Sequence, residues 1–502
     1  MKRKRRILAY GVVLVILLYG ALIWNIQANA TDEETIVLET GSNGNDIQKA
    51  LNRNSTDQHI HLTVKVPAGE YILDKTLFIY SNTTLEADKD AIFILKSDKY
   101  KVMLSSYNYQ YDKGGYDQIK QVKVIGGQWN GNNTSGEMMR FIHGSDIVVS
   151  GVTIYNVGNN SHMITFAGVK DGVIEQCQLY GYNGTSAKEA VHLDVVHNKN
   201  WVPGTVTYDD TANQNIVIKN NTIKDYTRAV GSHSFVKGVY HKNIVITDNV
   251  FEEIGEEAIN LYGYKDSKIE RNKMKNVGTG IRLYTLLENG KQYEPLKGTK
   301  TEEVPSSYQI IIGENEITDA KKYGIQLYGA KEQPLVGVTI VKNHVDQTGD
   351  NGIMLYRYSK NNLIKGNQIE RSGKQGIGIY LGSSYNKVIQ NKIEQASSHG
   401  IYIGQSKGNL VKKNQIVKSE KHGIWLDASS HKTKVVENRI SNPKEIGIGI
   451  KSSNQSMITN NTVIGAKKFG VYAVDCKQVM VKDNQYQNIG GKEEKIVKKR
   501  SS

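Results

Sequence analysis

The chain reads Ile244-Val245-Ile246-Thr247-Asp248-Asn249-Val250, which is an apolar-x-apolar triplet, two polar residues, an asparagine and a further apolar residue. The same pattern recurs around Asn221, Asn272, Asn315, Asn343, Asn367, Asn391, Asn414, Asn438, Asn461 and Asn484. From Asn343 onward, successive asparagines are 23 or 24 residues apart. Self-similarity at this period predicts a solenoid with one coil per repeat.

Each repeat contains a second alternating segment, of the kind seen in Gly324-Ile325-Gln326-Leu327-Tyr328. Leucine-rich repeats share the asparagine signature, but two strand-like segments and their turns fill about 23 residues and leave no room for a helix. The apolar positions are mostly Ile and Val, which favour strands. We therefore predict an all-β parallel β-helix with about 23–24 residues per coil. The repeated asparagines would form an internal ladder at its turns.

The segment Asp46-Ile47-Gln48-Lys49-Ala50-Leu51 is typical of a short helix that caps the N-terminal end of such a solenoid. With the repeats, it makes residues 40–490 resemble the right-handed parallel β-helix proteins of the pectate-lyase-like superfamily. The resemblance implies a right-handed solenoid and a polysaccharide as the partner, since members mostly act on polysaccharides. The segments 189–194 and 228–233 are similar to glycan-active surface proteins of Gram-positive bacteria.

Composition excludes several other classes of protein. Two cysteines in 502 residues are too few for a disulfide scaffold, and the recurring Ile, Val and Tyr exclude intrinsic disorder. The formal net charge is +14, but residues 1–30 and the last few residues hold much of it, so we expect no nucleic-acid partner. Tyrosine is in excess, at 29 against 7 phenylalanines, which favours aromatic rings on a wet surface.

The N-terminus predicts where the protein works. Five basic residues precede an apolar run from Ile7 to Trp24, and Ala28-Asn29-Ala30 follows. Residues 1–30 are thus predicted to be a signal peptide or an uncleaved membrane anchor. We expect an extracellular or cell-surface location, a single β-helix domain over residues 31–490, a basic disordered tail over 491–502, and a monomer.

Strand residues alternate between the core and the exterior, so stacking the repeats in register predicts the outer surface. One outward column reads Arg140, Thr165, His192, Gly231, Asn260, Arg282, Gln326, Met354, Gly378, Tyr402 and Trp425. The next reads Ile142, Ala167, Asp194, His233, Tyr262, Tyr284, Tyr328, Tyr356, Tyr380, Gly404 and Asp427. Five consecutive tyrosines would form an exposed strip about 20 Å long, either a platform for sugar rings or a stabilising stack.

Titratable residues cluster in the coils around 189–284, where His192 and Asp194 share a face. We expect Asp194, His233 and Tyr262 to stack in one column, about 5 Å apart. The candidate catalytic residues are Glu189, His192, Asp194, Arg228, His233, Glu257 and Arg282. The candidate substrate-binding residues are Asn260, Tyr262, Tyr284, Tyr328, Tyr356, Tyr380, Trp201, Asp209 and Asp210. Two long inserts, at 196–214 and 285–308, would wall this patch as a groove.

Three functions fit these residues. A glycoside hydrolase would use Asp194 with Glu189, Glu257, Asp209 or Asp210 as its second carboxylate, and this is the favoured expectation. A lyase or C5-epimerase acting on a uronate would neutralise the substrate carboxylate with Arg282 or Arg228. His192 or His233 would then take the proton, and Tyr262 would return one. A non-catalytic carbohydrate-binding adhesin is the third alternative.

Family motifs leave the reaction open. Gly280-Ile281-Arg282-Leu283-Tyr284 resembles the Arg-Ile-Lys element of polygalacturonases, with Tyr284 in place of the lysine. Asp194-Val195-Val196-His197 is a loose counterpart of the Asp-Pro-His-Asp element of alginate epimerases.

We predict no metal site, because the His and Asp residues look too scattered for transition-metal spacing. β-Helix lyases often use Ca²⁺, to which Asp209 and Asp210 could contribute ligands.

Overall fold

The computed structural model describes residues 32–56, 59–97, 99, 101–107, 110–285 and 293–497. Among these residues, 44 strands belong to one continuous sheet that winds into a solenoid of about 18 turns. Neighbouring coils pair in parallel, as in Thr165 beside His192. The predicted all-β parallel β-helix is confirmed.

One α-helix, α1 (Gly44–Leu51), packs against the first strands. Asn43 caps its N-terminus, because its side-chain oxygen accepts hydrogen bonds from the backbone N–H groups of Asn45 and Asp46. The apolar side of the helix, with Ile47 and Leu51, is buried against the core. A short 3₁₀ helix (Asn52–Asn54) follows it. The predicted capping helix is therefore present.

The strands of the N-terminal half are β1 (Glu33–Val37), β2 (His61–Val66), β3 (Gly69–Leu73), β4 (Leu77–Ile79), β5 (Thr83–Leu95), β6 (Val102–Ser106), β7 (Ile119–Asn130), β8 (Glu137–Ser150), β9 (Thr153–Tyr155), β10 (His162–Glu175), β11 (Gln178–Tyr180), β12 (Glu189–Asp194), β13 (Gln214–Lys219), β14 (Thr222–Tyr226), β15 (Arg228–Gly231), β16 (His241–Thr247), β17 (Val250–Tyr262), β18 (Tyr264–Lys265), β19 (Lys268–Glu270) and β20 (Lys273–Tyr284).

The strands of the C-terminal half are β21 (Ile310–Gly313), β22 (Glu316–Ala320), β23 (Ile325–Tyr328), β24 (Leu335–Val336), β25 (Val338–Val341), β26 (His344–Thr348), β27 (Ile353–Tyr356), β28 (Ser359–Lys360), β29 (Leu363–Lys365), β30 (Gln368–Ser372), β31 (Ile377–Tyr380), β32 (Lys387–Ile389), β33 (Lys392–Glu394), β34 (Ile401–Gly404), β35 (Leu410–Lys412), β36 (Gln415–Val417), β37 (Ile424–Asp427), β38 (Lys434–Val436), β39 (Arg439–Ser441), β40 (Ile446–Lys451), β41 (Met457–Thr459), β42 (Thr462–Ile464), β43 (Phe469–Val474), β44 (Met480–Lys482), β45 (Gln485–Gln487) and β46 (Lys492–Val497).

Three strand segments make up a complete coil, so the solenoid has three faces. The face that carries the candidate residues, called here the site face, contains β12, β15, β23, β27, β31, β34, β37 and β40. The long strands β8 and β10 begin on it and bend onto the next face, whereas β17 and β20 reach it after bending from a neighbouring face. The first predicted outward column is confirmed along its whole length, from Arg140 beside Thr165 to Tyr402 beside Trp425.

The inside of the solenoid is a continuous apolar core of stacked Ile, Val and Leu side chains. The predicted asparagine ladder runs along the inside of the solenoid, at the same turn of each successive coil. Asn367 is fully paired: its amide donates to the Ile340 carbonyl (3.0 Å) and to Asn391 Oδ1 (2.9 Å). Its Oδ1 accepts from the backbone N–H and the side-chain amide of Asn343, each at 2.9 Å. The ladder satisfies polar groups that the core would otherwise leave unpaired.

Two predictions concern the chain ends. The predicted disordered tail from residue 491 is wrong for Lys492–Val497, which form β46 and pair with β43, because the edge of the last coil offers unpaired backbone groups. The predicted signal or anchor, residues 1–30, lies outside the described residues. No helix within the described residues has the length and apolar character needed to cross a membrane.

We expect Asn367→Ala to lower the free energy of unfolding by about 3 kcal/mol, because it leaves several buried polar groups unpaired. Lys365→Ala, at an exposed position of the same coil, should change it by less than about 0.5 kcal/mol. Denaturant unfolding of both variants measures the difference. Equal stabilities would show that the ladder contributes nothing.

Candidate active site

A stack of three histidine rings lies at the centre of the site face. His162 lies parallel to His192, with ring centroids 4.0 Å apart and an angle of 10°. His192 lies parallel to His233, at 4.7 Å and 1°. The Nδ1 of His162 donates to the backbone carbonyl of Glu189 (2.7 Å), whereas both ring nitrogens of His192 are buried without a hydrogen-bond partner. His192 is therefore the member of the stack with uncommitted nitrogens.

His233 reaches this stack because the strand kinks at Gly231. The glycine has φ +153°, and a Cβ there would lie 1.9 Å from the Asn260 carbonyl oxygen, so only glycine fits. Beyond the kink, His233 turns over His192 and its Nδ1 lies 2.9 Å from Glu189 Oε2. The predicted column of Asp194, His233 and Tyr262 is wrong at His233, because a regular alternation cannot pass through this kink.

Asp194 lies beneath the stack. Its Oδ1 accepts from the Val195 backbone N–H (2.8 Å) and from the Ser234 hydroxyl. Its Oδ2 is buried and unpaired, 3.7 Å from His192 Nε2, which confirms that His192 and Asp194 share a face. Only 1% of Asp194 is exposed, and burial raises the pKa of its carboxyl. The predicted catalytic carboxylate is withdrawn from solvent.

The predicted catalytic arginines and glutamates pair with one another. Arg228 contacts Glu257 at 2.7 Å and Glu189 at 3.5 Å. Arg282 contacts the other oxygen of Glu257 and donates to Gln326 Oε1 at 2.8 Å. Glu189 and Glu257 are buried, so these pairs compensate their charges. The predictions of free carboxylates at these two positions, and of arginines free for a substrate carboxylate, are therefore corrected.

A groove of about 450 Å³ opens beside the histidine stack. Among its lining residues are His192, His233 and three basic residues, Lys101, Arg140 and Lys188. The one carboxylate among the lining residues, Glu137, pairs with Arg140 at 2.8 Å. Positive charge thus predominates along the described groove walls.

The two predicted inserts do wall this groove. Trp201 from the first insert and Tyr293 from the second meet edge to face at 4.6 Å, and both line the groove. Residues 286–292 of the second insert lie outside the described residues. The predicted substrate-binding position of Trp201 stays a prediction.

Asp209 and Asp210 anchor the inserts instead of facing the groove. Asp209 contacts His143 Nε2 (3.0 Å) and accepts from the Gly115 N–H (2.7 Å). Asp210 pairs with His197 (2.5 Å) and accepts from the Leu296 N–H (2.6 Å). These bonds engage both oxygens of each carboxylate, and neither residue lines the groove. Their predicted roles in substrate or Ca²⁺ binding stay predictions.

The predicted tyrosine strip exists, but its first half is covered. Successive ring centroids in this tyrosine ladder (Tyr262, Tyr284, Tyr328, Tyr356, Tyr380 and Tyr402) are 4.7, 5.0, 5.3, 6.4 and 5.1 Å apart. Tyr262 and Tyr284 are buried, as is Asn260, whose amide donates to the Ser232 carbonyl. Their predicted exposure to substrate is corrected, since less than a tenth of each residue is accessible. The half-exposed part begins at Tyr328.

The environment separates the protonation states of the stacked histidines. Burial lowers the pKa of His162 to about 3, and burial likewise holds the pKa of His192 well below 6.5. Burial alone would also lower the pKa of His233, but the Glu189 carboxylate outweighs it and raises that pKa. The environment therefore favours the neutral form of His192 and, beside it, the protonated form of His233.

His162, Glu189, His192 and His233 each offer one metal-ligand atom, and these atoms lie within 4.8 Å of one another. The premise that such residues are too scattered for a metal is wrong, because the coils bring them together. The rings are nevertheless parallel planes, so their in-plane lone pairs do not converge on one point. The predicted absence of a metal site stays a prediction.

Matches to the right handed beta helix region model cover residues 205–369, 300–440 and 378–493, which together exceed half of the chain. The chain belongs to this family. The predicted pectate-lyase-like β-helix is confirmed, whereas a Gram-positive origin stays a prediction. No curated protein matches the sequence.

Solved β-helix structures are similar in fold. The surface protein and adhesin PfbA of Streptococcus pneumoniae is 15% identical, with 90% of this chain and 95% of that chain covered and a TM-score of 0.41. The A-module of the mannuronan C-5 epimerase AlgE6 of Azotobacter vinelandii is 14% identical (91% and 95% covered, TM-score 0.42). The tailspike protein of Escherichia coli bacteriophage HK620, in complex with a pentasaccharide, is 11% identical (88% and 76% covered, TM-score 0.49).

Sequence analysis missed several residues of the groove and of the contacts that hold its inserts. His162 precedes the buried Ile164 by two residues, so strand alternation places it in the core and does not predict its stacking on His192. Lys188 immediately precedes Glu189 but belongs to no motif. His143 lies in a bend of β8 with φ +52°, and no strand periodicity predicts its contacts with Asp112 (2.7 Å) and Asp209.

His143 makes the stability of the insert anchor depend on pH. Burial alone would lower its pKa, but its bonds to Asp112 and Asp209 raise that pKa to about 9. The ion pairs of protonated His143 stabilise the folded protein by roughly 3 kcal/mol. This stabilisation is fully present below about pH 6.5 and is lost as pH rises through about 9. We expect the gap in unfolding free energy between wild type and His143→Gln to shrink between about pH 6 and about pH 10. A gap that does not change with pH would show that the pairs of His143 with Asp112 and Asp209 do not stabilise the fold in this way.

Proposed function

We propose that the protein is an extracytoplasmic polysaccharide lyase that cleaves a uronate-containing chain in the groove beside His192 and His233. The observation that carries the proposal is the stacking of His192 on His233 in a groove lined by basic residues, with the Glu189 carboxylate 2.9 Å from His233 Nδ1. The location rests on the N-terminal segment, residues 1–30.

The charge of the groove selects the substrate. Lys101, Arg140 and Lys188 supply positive charge, and Glu137 offsets only part of it. Within the described residues, the Lys188 ammonium has no ion pair of its own. It can therefore bind and neutralise a uronate carboxylate, which stabilises the negative charge that develops when the neighbouring carbon loses its proton.

The two imidazoles divide the chemistry of elimination. Neutral His192, with both nitrogens uncommitted, accepts the proton from the carbon beside the carboxylate. Protonated His233, oriented through Nδ1 by Glu189, donates a proton to the leaving glycosidic oxygen. The C–H and C–O bonds break as a C=C bond forms. Both rings lie on one side of the groove, which favours elimination over epimerisation, since epimerisation requires groups on opposite faces of the sugar.

Hydrolysis through two carboxylates has less support. Neither Asp194 nor any of the four candidate second carboxylates is among the groove-lining residues. Glu189 and Glu257 neutralise arginines, and Asp209 and Asp210 hold the inserts. A carboxylate pair flanking a scissile bond must reach the substrate, and these do not.

Incubation of the full chain with alginate and with polygalacturonate tests the proposal. Cleavage by elimination should raise the ultraviolet absorbance of the solution, because each product chain carries a new C=C bond. We expect His233→Ala to lower the rate by a factor on the order of 10²–10⁴, as for loss of a general acid. His344→Ala, on a different face, is the matched control and should leave the rate unchanged. Circular dichroism verifies that each variant is folded.

Other readouts identify the rival reactions. New reducing ends without the absorbance rise would indicate a hydrolase, and an altered C5 configuration in the NMR spectrum would indicate an epimerase. Retention of polymer with no product in any assay would indicate an adhesin. Each of these results would overturn the lyase proposal.

The pKa directions of the two histidines also predict the pH–rate profile. Activity should fall as pH rises through the raised pKa of His233, because the acid is lost. It should persist well below pH 6.5, because the lowered pKa of His192 keeps the base neutral there. Glu189→Gln removes the charge that raises the pKa of His233 and should move the alkaline limb to lower pH. An unmoved limb would show that another group is the acid.

A further inference from the structure

Beyond the groove, the site face ends in aromatic rings that lie over glycines. A Cβ at Gly378 would lie 2.4 Å from the Tyr380 ring, and one at Gly404 would lie 2.7 Å from the Tyr402 ring. A Cβ at Gly449 would lie 2.1 Å from the Trp425 ring. These three outward glycines are on separate coils, so each ring occupies the space of a missing side chain.

This arrangement lays the rings against the sheet. Each ring leans over a glycine, which for Trp425 belongs to the next coil. Tyr380, Tyr402 and Trp425 are all half-exposed. Partly exposed aromatic rings can stack against the C–H faces of pyranose sugars. Mutual stacking alone, as between Tyr262 and Tyr284, does not require the glycines.

Two imidazoles complete this distal patch, defined as Tyr380, His399, Tyr402, His422 and Trp425. The rings of His399 and His422 are 4.9 Å apart, and the ring of Trp425 lies 4.4 Å from that of His422. Both histidines are at least nine-tenths buried, yet their Nδ1 atoms have no hydrogen-bond partner. The closest carboxylate oxygen, on Glu445, is 3.8 Å from His422 Nδ1. These buried nitrogens therefore have unused hydrogen-bonding capacity next to the half-exposed rings.

We infer that the distal patch is a second carbohydrate-binding subsite for the same polysaccharide chain. The inference rests on the proposed function for the identity of the chain. Seven strand-to-strand steps separate His192 from Tyr402 along the site face, which is about 35 Å at roughly 4.8 Å per coil. The half-exposed rings from Tyr328 onward lie between them. A chain that fills both sites is several sugars long, so the enzyme prefers polymers and cleaves them internally.

Two variants remove the subsite by different means. Trp425→Ala deletes a ring, and Gly449→Ala leaves the ring but pushes it off the sheet, since its Cβ would overlap the ring. Trp425→Phe keeps a flat ring and should rescue binding. Tyr180→Ala is the matched control, because Tyr180 also stacks on a tyrosine, Tyr155, but on a different face.

The experiment measures binding and cleavage of polygalacturonate and alginate, each as polymer and as tetrasaccharide, by the full chain. We expect Trp425→Ala and Gly449→Ala to weaken polymer binding about 10-fold and to raise KM for polymer equally. Tetrasaccharide kinetics and kcat should be unchanged. Thermal melts verify that each variant is folded.

The outcomes separate the two proposals. If polymer is cleaved but both variants behave as wild type, the subsite is refuted and the lyase stands. If polymer is bound but never cleaved, and both variants lose binding, the lyase is refuted and the subsite stands. If neither polymer binds to the wild type, both proposals fail. An equal loss for tetrasaccharide would also refute the subsite, because such short chains cannot reach it from the groove.

Discussion

The register between successive coils is the constraint on which the rest of this structure depends. Each coil places its strands about 4.8 Å from the next, with equivalent residues directly above one another. The asparagine ladder fixes this register from inside, because each amide bonds to the coils on both sides. A slip of one residue would break the ladder and turn the apolar side chains outward. Residues far apart in sequence, such as His162 and His233, can stack only because the register holds.

Charge burial is the second constraint on the site. Glu189, Glu257, Arg228 and Arg282 cluster on the site face, where little water reaches their side chains. A buried charge is tolerated when an opposite charge and hydrogen bonds compensate it, which explains why these four residues pair with one another. The consequence is chemical. Glu189 orients and charges His233, while Asp194 is left buried and His192 is left neutral.

Some features of the site face could be predicted from the sequence and others could not, for physical reasons. The outward column from Arg140 to Trp425 was predictable residue by residue, because strand alternation and a regular repeat fully specify it. The position of His233 was not, since a single positive-φ glycine, Gly231, redirects its side chain. The anchoring roles of Asp209 and Asp210 were not predictable either, since they depend on where the inserts fold. Inserts carry no repeat from which their path could be inferred.

The sequence by itself determined the solenoid, the number of residues per coil, the internal asparagines and the first outward column. It did so because period and alternation are local properties of the chain. Only the tertiary structure decided which outward residues reach solvent, which charges neutralise one another and which imidazole carries the proton. Those properties depend on distances of a few ångströms between coils and inserts, and burial and Coulomb interaction change steeply over such distances.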